Sequence, residues 1–351
     1  MSLTAESPVT EVEPSKSRSK EKTACVAIIF TGGTIAMTAT PANGIIPTLA
    51  GKDIMARIPE VQQFLPSVAL ELYDFATLPG PHISPEMMLT LTEFVRAISE
   101  QVDGVVITHG TDSVEECAYF LDLAVGDHKP IVFTGAMHPS TDAAWDGGKN
   151  LLDAIGVAAS KEFYNQGVLL VLDGTIHAAS EVIKGHTTRT DTFRSADFGP
   201  LGSVHVLEHT PPQRTRSPHH RLSIPTNDDV ELPYVELLKA YSGMDDQLFR
   251  AAMKAGATGI VVEAMGQGNV PPGAVNGIAR ACEMGIPVVI TSRCPAGPVR
   301  PYYSYEGAGK ELYRLGCLFA PFITGPKARI KLMLALAAGY SKEKLVEIFP
   351  C

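Results

Sequence analysis

The chain alternates short apolar runs with stretches in which apolar residues recur every three or four positions. Residues 24–30 (Ala-Cys-Val-Ala-Ile-Ile-Phe) form an unbroken apolar run, as expected of a strand buried on both faces. Residues 68–75, 104–108, 131–134 and 168–172 read as further strands. Between them lie helical patterns. Ser84-Pro85 opens one, with Ser as N-cap and Pro at the first helical position, and Met87, Leu91, Val95 and Ile98 follow at helical spacing. Ser113 and Glu116 form a candidate capping box for a helix running to Ala124, and another helix covers 150–159. Strand and helix in alternation predict an α/β fold: a mostly parallel sheet with helices on both faces.

The character changes after residue 210. Pro211, Pro212, Pro218, Pro225 and Pro233 are spread among polar and basic residues, which reads as a linker. The α/β rhythm then returns on a smaller scale, with strands at 235–238, 259–262 and 288–291. Helices are expected at 246–254, 274–283, 328–338 and 341–349. A chain of 351 residues is long for a single core. The expected organisation is a disordered tail over 1–23, a larger α/β domain over 24–210, a linker over 211–233 and a smaller α/β domain over 234–351. The tail is polar and has no apolar core of the kind a secretory signal needs.

Composition narrows the function classes. A chain 45% hydrophobic and 19% charged is typical of a globular protein, and a net charge of −9 argues against nucleic-acid binding. No apolar run has the length needed to cross a bilayer. The six cysteines (Cys25, Cys117, Cys282, Cys294, Cys317 and Cys351) are scattered without a CxxC, which points to a cytoplasmic protein with reduced thiols. Cys282 and Cys294 are a candidate pair. His205 and His209 have i, i+4 spacing but flank an expected strand, and His219-His220 falls in the linker, so no metal site is expected. There is no P-loop, and the lone GxG at Gly266-Gln267-Gly268 is weak evidence for a nucleotide; no cofactor is expected.

The candidate chemistry sits where two apolar runs end. Phe30-Thr31-Gly32-Gly33-Thr34-Ile35-Ala36 and Thr108-His109-Gly110-Thr111-Asp112-Ser113 each place a threonine just past a strand. Open α/β sheets bind ligands at such strand ends, and glycines let backbone approach closely. Thr34 is either a nucleophile, which needs activation by a base, or a turn and cap residue. Thr111-Asp112 offers a second hydroxyl and a carboxylate able to hold a substrate ammonium, or a plain helix cap. His109, beside Gly110, reads as structural. Lys184, in Glu181-Val182-Ile183-Lys184-Gly185-His186, is the candidate base if a desolvated setting lowers its proton affinity; by spacing alone it is an ordinary surface lysine.

These motifs together resemble the bacterial-type L-asparaginase family. The two threonine segments look like its two signatures, in order. Thr134-Gly135-Ala136-Met137-His138-Pro139-Ser140 with Asp146-Gly147, the Lys184 segment, Phe193-Arg194-Ser195, Gly266-Gln267-Gly268-Asn269 and Thr291-Ser292-Arg293 are similar to further family segments. The resemblance covers roughly 24–349. It implies two α/β domains and a homotetramer built from intimate dimers, with a small-molecule amide as substrate and neither nucleic acid nor membrane as partner. By position, Thr34 would attack the side-chain amide, Thr111 and Lys184 would form a proton relay with Asp112 alongside, and Asp112 would bind the α-amino group. Gly80, His82 and Gln267 would complete substrate binding.

Three departures from the family pattern stand out. Asn43-Gly44-Ile45-Ile46-Pro47 has Ile45 where the mobile loop usually carries a tyrosine, and isoleucine cannot orient a hydroxyl. Leu78-Pro79-Gly80-Pro81-His82-Ile83 has Gly80-Pro81 where many members have a serine for the substrate carboxylate, leaving the backbone N–H of Gly80 or His82 as substitutes. The acidic residue that some secreted members donate from a partner subunit has no clear match in Arg300–Gly307, a segment closer to the cytoplasmic members, with Tyr303, Tyr305 and Glu306. The implied activity is asparagine hydrolysis; the same machinery on another amide (glutamine, D-asparagine) and a weakly active amino-acid-binding relative are the alternatives.

Overall fold

A computed structural model of the chain describes residues 24–40, 44–125, 128–205, 208–210, 212–214, 216, 221–224 and 231–350. The 1–23 tail, Asn43, Pro211, His219-His220 and Cys351 lie outside the described residues, as does much of the proline-rich stretch. The chain divides into two compact units. One runs to Ser195 and takes in Gly199–Arg216; the other holds Ala196–Phe198 and the residues from 217 onward.

The first unit is built on β1 (Ala24–Gly32), β2 (Met37–Thr40), β3 (Gly44–Pro47), β4 (Val68–Leu78), β5 (Gly104–Thr108), β6 (Ile131–Thr134), β7 (Val168–Leu172) and β8 (Thr175–Ala178). The short strands β9 (Ile183–Lys184), β10 (Phe193–Arg194), β11 (Gly202–His205) and β12 (Glu208–His209) follow. Its helices are α1 (Gly51–Ala56), α2 (Val61–Phe64), α3 (Pro85–Ser99), α4 (Val114–Ala124) and α5 (Gly147–Ala159). The main sheet has the order β12-β11-β8-β7-β6-β5-β1-β4. The five strands from β7 to β4 are parallel, and β8, β11 and β12 add an antiparallel edge. His205 and His209 thus sit on paired strands, not on one helical face.

The pleat sorts β1 into two faces. Val26, Ile28 and Phe30 join a core with Leu151, Ala154, Ile155 and Ala158 of α5. Ala27 and Ile29, pointing the other way, are equally buried, as expected for a parallel strand covered on both sides. Helix α3 starts where Ser84 Oγ accepts the Met87 N–H at 3.4 Å, with Pro85 at N1. Its buried stripe is Met88, Leu91, Val95 and Ile98; Met87 is only half-buried, one position off the expected stripe. The expected capping box at α4 is absent, because Ser113 Oγ donates instead to the Gly80 carbonyl at 2.6 Å.

The hairpin β2–β3 and the short helices α1 and α2 were not anticipated from pattern, being too short to show a period. Two arginines from the proline-rich stretch fasten to this unit. Arg216 meets the buried Asp122 carboxylate at 2.6 Å, and Arg214 pairs with the buried Glu181. Asp122 also accepts the Val168 N–H at 2.9 Å, so one carboxylate joins α4, β7 and Arg216.

The second unit carries β13 (Val235–Lys239), β14 (Gly259–Ala264), β15 (Val288–Ser292) and β16 (Leu318–Phe319) in one parallel sheet of that order. Around it lie α6 (Gln247–Lys254), α7 (Pro272–Glu283), α8 (Gly309–Arg314), α9 (Gly325–Ala337) and α10 (Lys342–Ile348). Strands β13 to β15 and four of the helices follow the sequence pattern; α8 and β16 are additions. The candidate pairing of Cys282 with Cys294 is not found: Cys282 Sγ lies 4.0 Å from Cys317 Sγ, and Cys294 is exposed. No helix among the described residues is long and apolar enough to cross a membrane.

The register of the parallel strands aligns their exits. Phe30 pairs with Thr108, Thr108 with Thr134, and Gly32 with Leu78, so the turns after β1, β4, β5 and β6 gather at one edge. There the backbones touch. A Cβ on Gly33, whose φ is 78°, would stand 2.4 Å from the Gly110 nitrogen, and one on Gly110 would stand 2.6 Å from the Gly80 Cα. Real Cβ atoms do not come so close, so glycine is required at both places. Replacing Gly110 with Ala is expected to cost about 1–3 kcal/mol through overpacking, read as a lower urea midpoint. A midpoint equal to the parent's would show that the turns are not in contact.

His109, at the exit of β5, is fully buried. Its Nδ1 is 2.9 Å from the Gly110 carbonyl, which can only accept, so Nδ1 carries the proton of the neutral ring. Burial pushes its pKa down from 6.5 to about 4, against a smaller upward pull from that hydrogen bond. Unfolding releases the ring to water, so the unfolded state binds more protons between those values. Stability is therefore expected to fall by roughly 3 kcal/mol as pH drops from 6.5 toward 4. Urea unfolding across this range should show that loss in the parent and a correspondingly flatter dependence in His109→Gln; parallel curves would rule the histidine out as its source.

Candidate active site

Thr34 opens a short 3-10 turn, Thr34–Ala36, directly after Gly32 and Gly33, whose φ values are 105° and 78°. The turn is tied down from below and from the side. Thr31 Oγ1 donates to the Thr108 carbonyl at 2.7 Å, and the Gly33 N–H donates to the Leu78 carbonyl at 2.8 Å. Thr34 itself is half-buried. Because Gly33 abuts Gly110, the residues that follow these two glycines, Thr34 and Thr111, leave the sheet from touching turns.

Thr111 is buried, and Asp112 beside it has a side chain 65% exposed. The Lys184 side chain is only 15% exposed. Its ammonium nitrogen lies 2.8 Å from Thr111 Oγ1 and 2.7 Å from Asp112 Oδ1. Residues more than seventy positions apart in the chain therefore form one polar cluster. Lys184 reaches it from β9, which pairs antiparallel with β10 through Lys184 opposite Phe193. The Lys184 backbone N–H is held at 2.9 Å by Glu115 Oε2 from the first turn of α4. Sequence reading missed Glu115; a carboxylate in the first turn of a helix is common enough for dipole reasons that nothing marked this one.

A neighbouring loop is built by Asp146. Its carboxylate accepts the N–H groups of Met137 (3.0 Å) and His138 (2.9 Å) and the Asn150 side-chain amide (2.9 Å), and Asn150 also donates to the Gly135 carbonyl at 3.0 Å. Gly135 in turn packs on the His109 carbonyl, where a Cβ would come within 2.5 Å. The Thr134–Ser140 segment thus backs the Thr111 turn.

Gly80 is buried against Gly110. A Cβ there would meet Ser113 Oγ at 3.1 Å and the Gly110 carbonyl at 3.2 Å, so the space a serine would enter is already bordered by Ser113. The Gly80 carbonyl accepts the Ile83 N–H at 3.1 Å as well as the Ser113 hydroxyl. The His82 N–H donates to the Pro79 carbonyl at 3.0 Å inside the 3-10 turn Gly80–His82, while its side chain is exposed. Ile45, in β3 opposite Ala39, is 55% exposed.

Gln267 belongs to the second unit. It sits exposed in the turn between Gly266 and Gly268, closed by the Met265–Asn269 bridge and by Ser292 Oγ on the Gly266 carbonyl at 2.6 Å. The Gln267 carbonyl accepts the Arg300 N–H at 2.9 Å. Among the described residues no group of three or more His, Cys, Asp or Glu side chains is placed to hold a metal ion.

Comparison with known proteins gives the family. The family model "Asparaginase, N-terminal" matches residues 25–214, and "Glutaminase/Asparaginase C-terminal domain" matches 234–349. A probable L-asparaginase of Deinococcus radiodurans is 35% identical over 92% of this chain and 96% of its own length. L-asparaginase 2 of Escherichia coli is 32% identical over 92% of each chain. A protein of Haemophilus influenzae named as a probable periplasmic L-asparaginase is 33% identical over 89% of this chain and 88% of its own. With both domains matched in order and a polar cluster of Thr111, Asp112 and Lys184 at the strand exits, the chain belongs to the asparaginase family.

Proposed function

We propose that the chain hydrolyses the side-chain amide of asparagine to aspartate and ammonia through a threonine acyl-enzyme. The observation that carries the reading is the three-residue contact in which Lys184 Nζ meets Thr111 Oγ1 at 2.8 Å and Asp112 Oδ1 at 2.7 Å, beside the turn that bears Thr34. Thr34 Oγ attacks the amide carbon while its proton passes through Thr111, which is hydrogen-bonded to Lys184, to the departing nitrogen, and backbone N–H groups of the Thr34 and Thr111 turns face the oxyanion. Ammonia leaves after taking a proton, and a water then attacks the Thr34 ester. That water's proton passes through Thr111, held by Lys184, to Thr34 Oγ as the ester breaks and aspartate is released.

Asp112 has an exposed carboxylate with one oxygen on Lys184, and it receives the substrate's α-ammonium by a charge-assisted hydrogen bond. The carboxylate end of the substrate falls to the Gly80–His82 turn. The His82 N–H is engaged within that turn, so the Gly80 N–H and the exposed His82 side chain are the groups assigned to it. Gln267, on an exposed turn of the second unit, is assigned to substrate contact in the assembled enzyme. The assembly proposed is the family's homotetramer, and the compartment is the cytoplasm, which the scattered free cysteines favour.

Steady-state hydrolysis of asparagine, glutamine and D-asparagine tests the reading. Thr34→Ala is expected to lose at least about a thousandfold in kcat on the preferred amide. Lys184→Met is expected to lose about 10²–10⁴-fold in kcat with a smaller change in KM. Wild-type turnover by Thr34→Ala would remove the nucleophile assignment, and glutamate formed faster than aspartate would move the substrate to glutamine. Sedimentation at four chain masses would support the tetramer, and a monomer in the active fraction would overturn it.

A further inference from the structure

The second unit contains a thiol pair that the hydrolytic reading does not use. Cys282 lies in the last turn of α7, and Cys317 lies in the segment between α8 and β16. Their sulfurs are 4.0 Å apart, in contact but not bonded. The two environments differ. Cys317 is 3% exposed and sits in the apolar core with Phe319 and Leu312. Cys282 is half-buried and lines a cavity of about 160 Å³, along with Ile286, Leu336, Tyr340, Lys342 and Leu345. Cys317 is not among the residues lining this cavity, so one cysteine of the pair borders it and the other does not.

Their acidities differ as well. The hydrogen bond from Cys317 pulls the Cys282 thiol below its ordinary pKa, with help from the nearby Lys342 ammonium, while burial opposes. That same bond, with burial, holds the Cys317 thiol well above its ordinary value. Lys342 stands close to this segment: a Cβ on Gly316 would be 3.7 Å from its nitrogen. A partly exposed thiol beside a cation and a donor has the setting of a reactive cysteine, and its neighbour has that of a resolving one.

We propose that Cys282 and Cys317 form an oxidisable dithiol site, with Cys282 as the sulfur attacked first and a hydroperoxide as the oxidant class. The Cys282 thiolate attacks the terminal oxygen of hydrogen peroxide. The O–O bond breaks, hydroxide leaves and is protonated to water, and Cys282 becomes a sulfenic acid. The Cys317 sulfur then gives up its proton and attacks the Cys282 sulfur, and the sulfenic hydroxyl leaves as a second water. Two thiols are oxidised to one disulfide, and one peroxide is reduced to two waters. The product ties the end of α7 to the strand connection before β16, both within one unit.

The test is peptide mapping by mass spectrometry of the full chain after graded hydrogen peroxide, with and without a reductant. The expected result is a Cys282–Cys317 linked peptide pair that lacks two hydrogens and is restored by dithiothreitol. It should form at doses that leave exposed Cys294 mostly as thiol. In Cys317→Ser, Cys282 should stop at a dimedone-trappable sulfenic acid; in Cys282→Ser and Cys282→Ala, Cys317 should stay reduced at the same dose. Circular dichroism matched to the parent shows that each variant is folded. Oxidation of Cys294 first, a Cys282–Cys294 link, or Cys317 oxidising readily without Cys282 would each overturn the proposal.

Discussion

Everything at the candidate site depends on three turns touching through their backbones. Gly33, Gly110 and Gly80 each leave a different strand, and there is no room for a side chain between them. Contact at this range leaves little freedom in how the β1, β4 and β5 exits sit against one another, because a packed interior responds to displacement with overlap, not with give. Thr34 and Thr111 follow directly after two of these glycines. The steric limit therefore transfers to the hydroxyls, and the chemistry inherits its geometry from a packing constraint.

Hydrogen bonds from other elements hold the turns in that position. Thr31 reaches back to the Thr108 carbonyl, Ser113 holds Gly80, and Asp146 gathers the N–H groups of the next loop. Glu115 fixes the strand that carries Lys184. Each of these side chains gives a backbone group near the sheet edge, where irregular backbone is unavoidable, a hydrogen bond from outside its own segment. Ser113 shows the choice involved. Its hydroxyl leaves its own helix end and serves the Gly80 turn instead. Local capping is worth about 1 kcal/mol and is readily exchanged for a tertiary bond of similar strength.

The two units use cysteine and charge differently. In the first, buried charge is paired: Asp122 with Arg216 and Glu181 with Arg214, both arginines coming from a stretch that reads as linker. Proline and polar residues mark irregular backbone, but they do not say whether it hangs free. Here it is fastened by two guanidinium groups, and a buried carboxylate left without such a partner would carry a heavy desolvation cost. In the second unit two thiols meet at the core, one of them bordering a cavity, and the hydrogen bond between them, with their unequal burial, separates their acidities.

The sequence by itself determined the parallel strands, their order of alternation with helices, and the residues at the exits of β1 and β5. A strand buried on both faces must be apolar throughout, and a glycine-threonine turn at its end is visible in the letters. It also marked Lys184, though only through family resemblance, since a lysine on a two-residue strand has no pattern of its own. Only the tertiary structure decided that Lys184 meets Thr111 and Asp112, that Glu115 holds its backbone, that Ser113 serves Gly80, and that Cys282 faces Cys317 instead of Cys294. The physical reason is range. Periodicity and capping are encoded within a turn or two of chain, whereas these contacts join residues about thirty to seventy-odd positions apart, and only strand register and close packing bring them together.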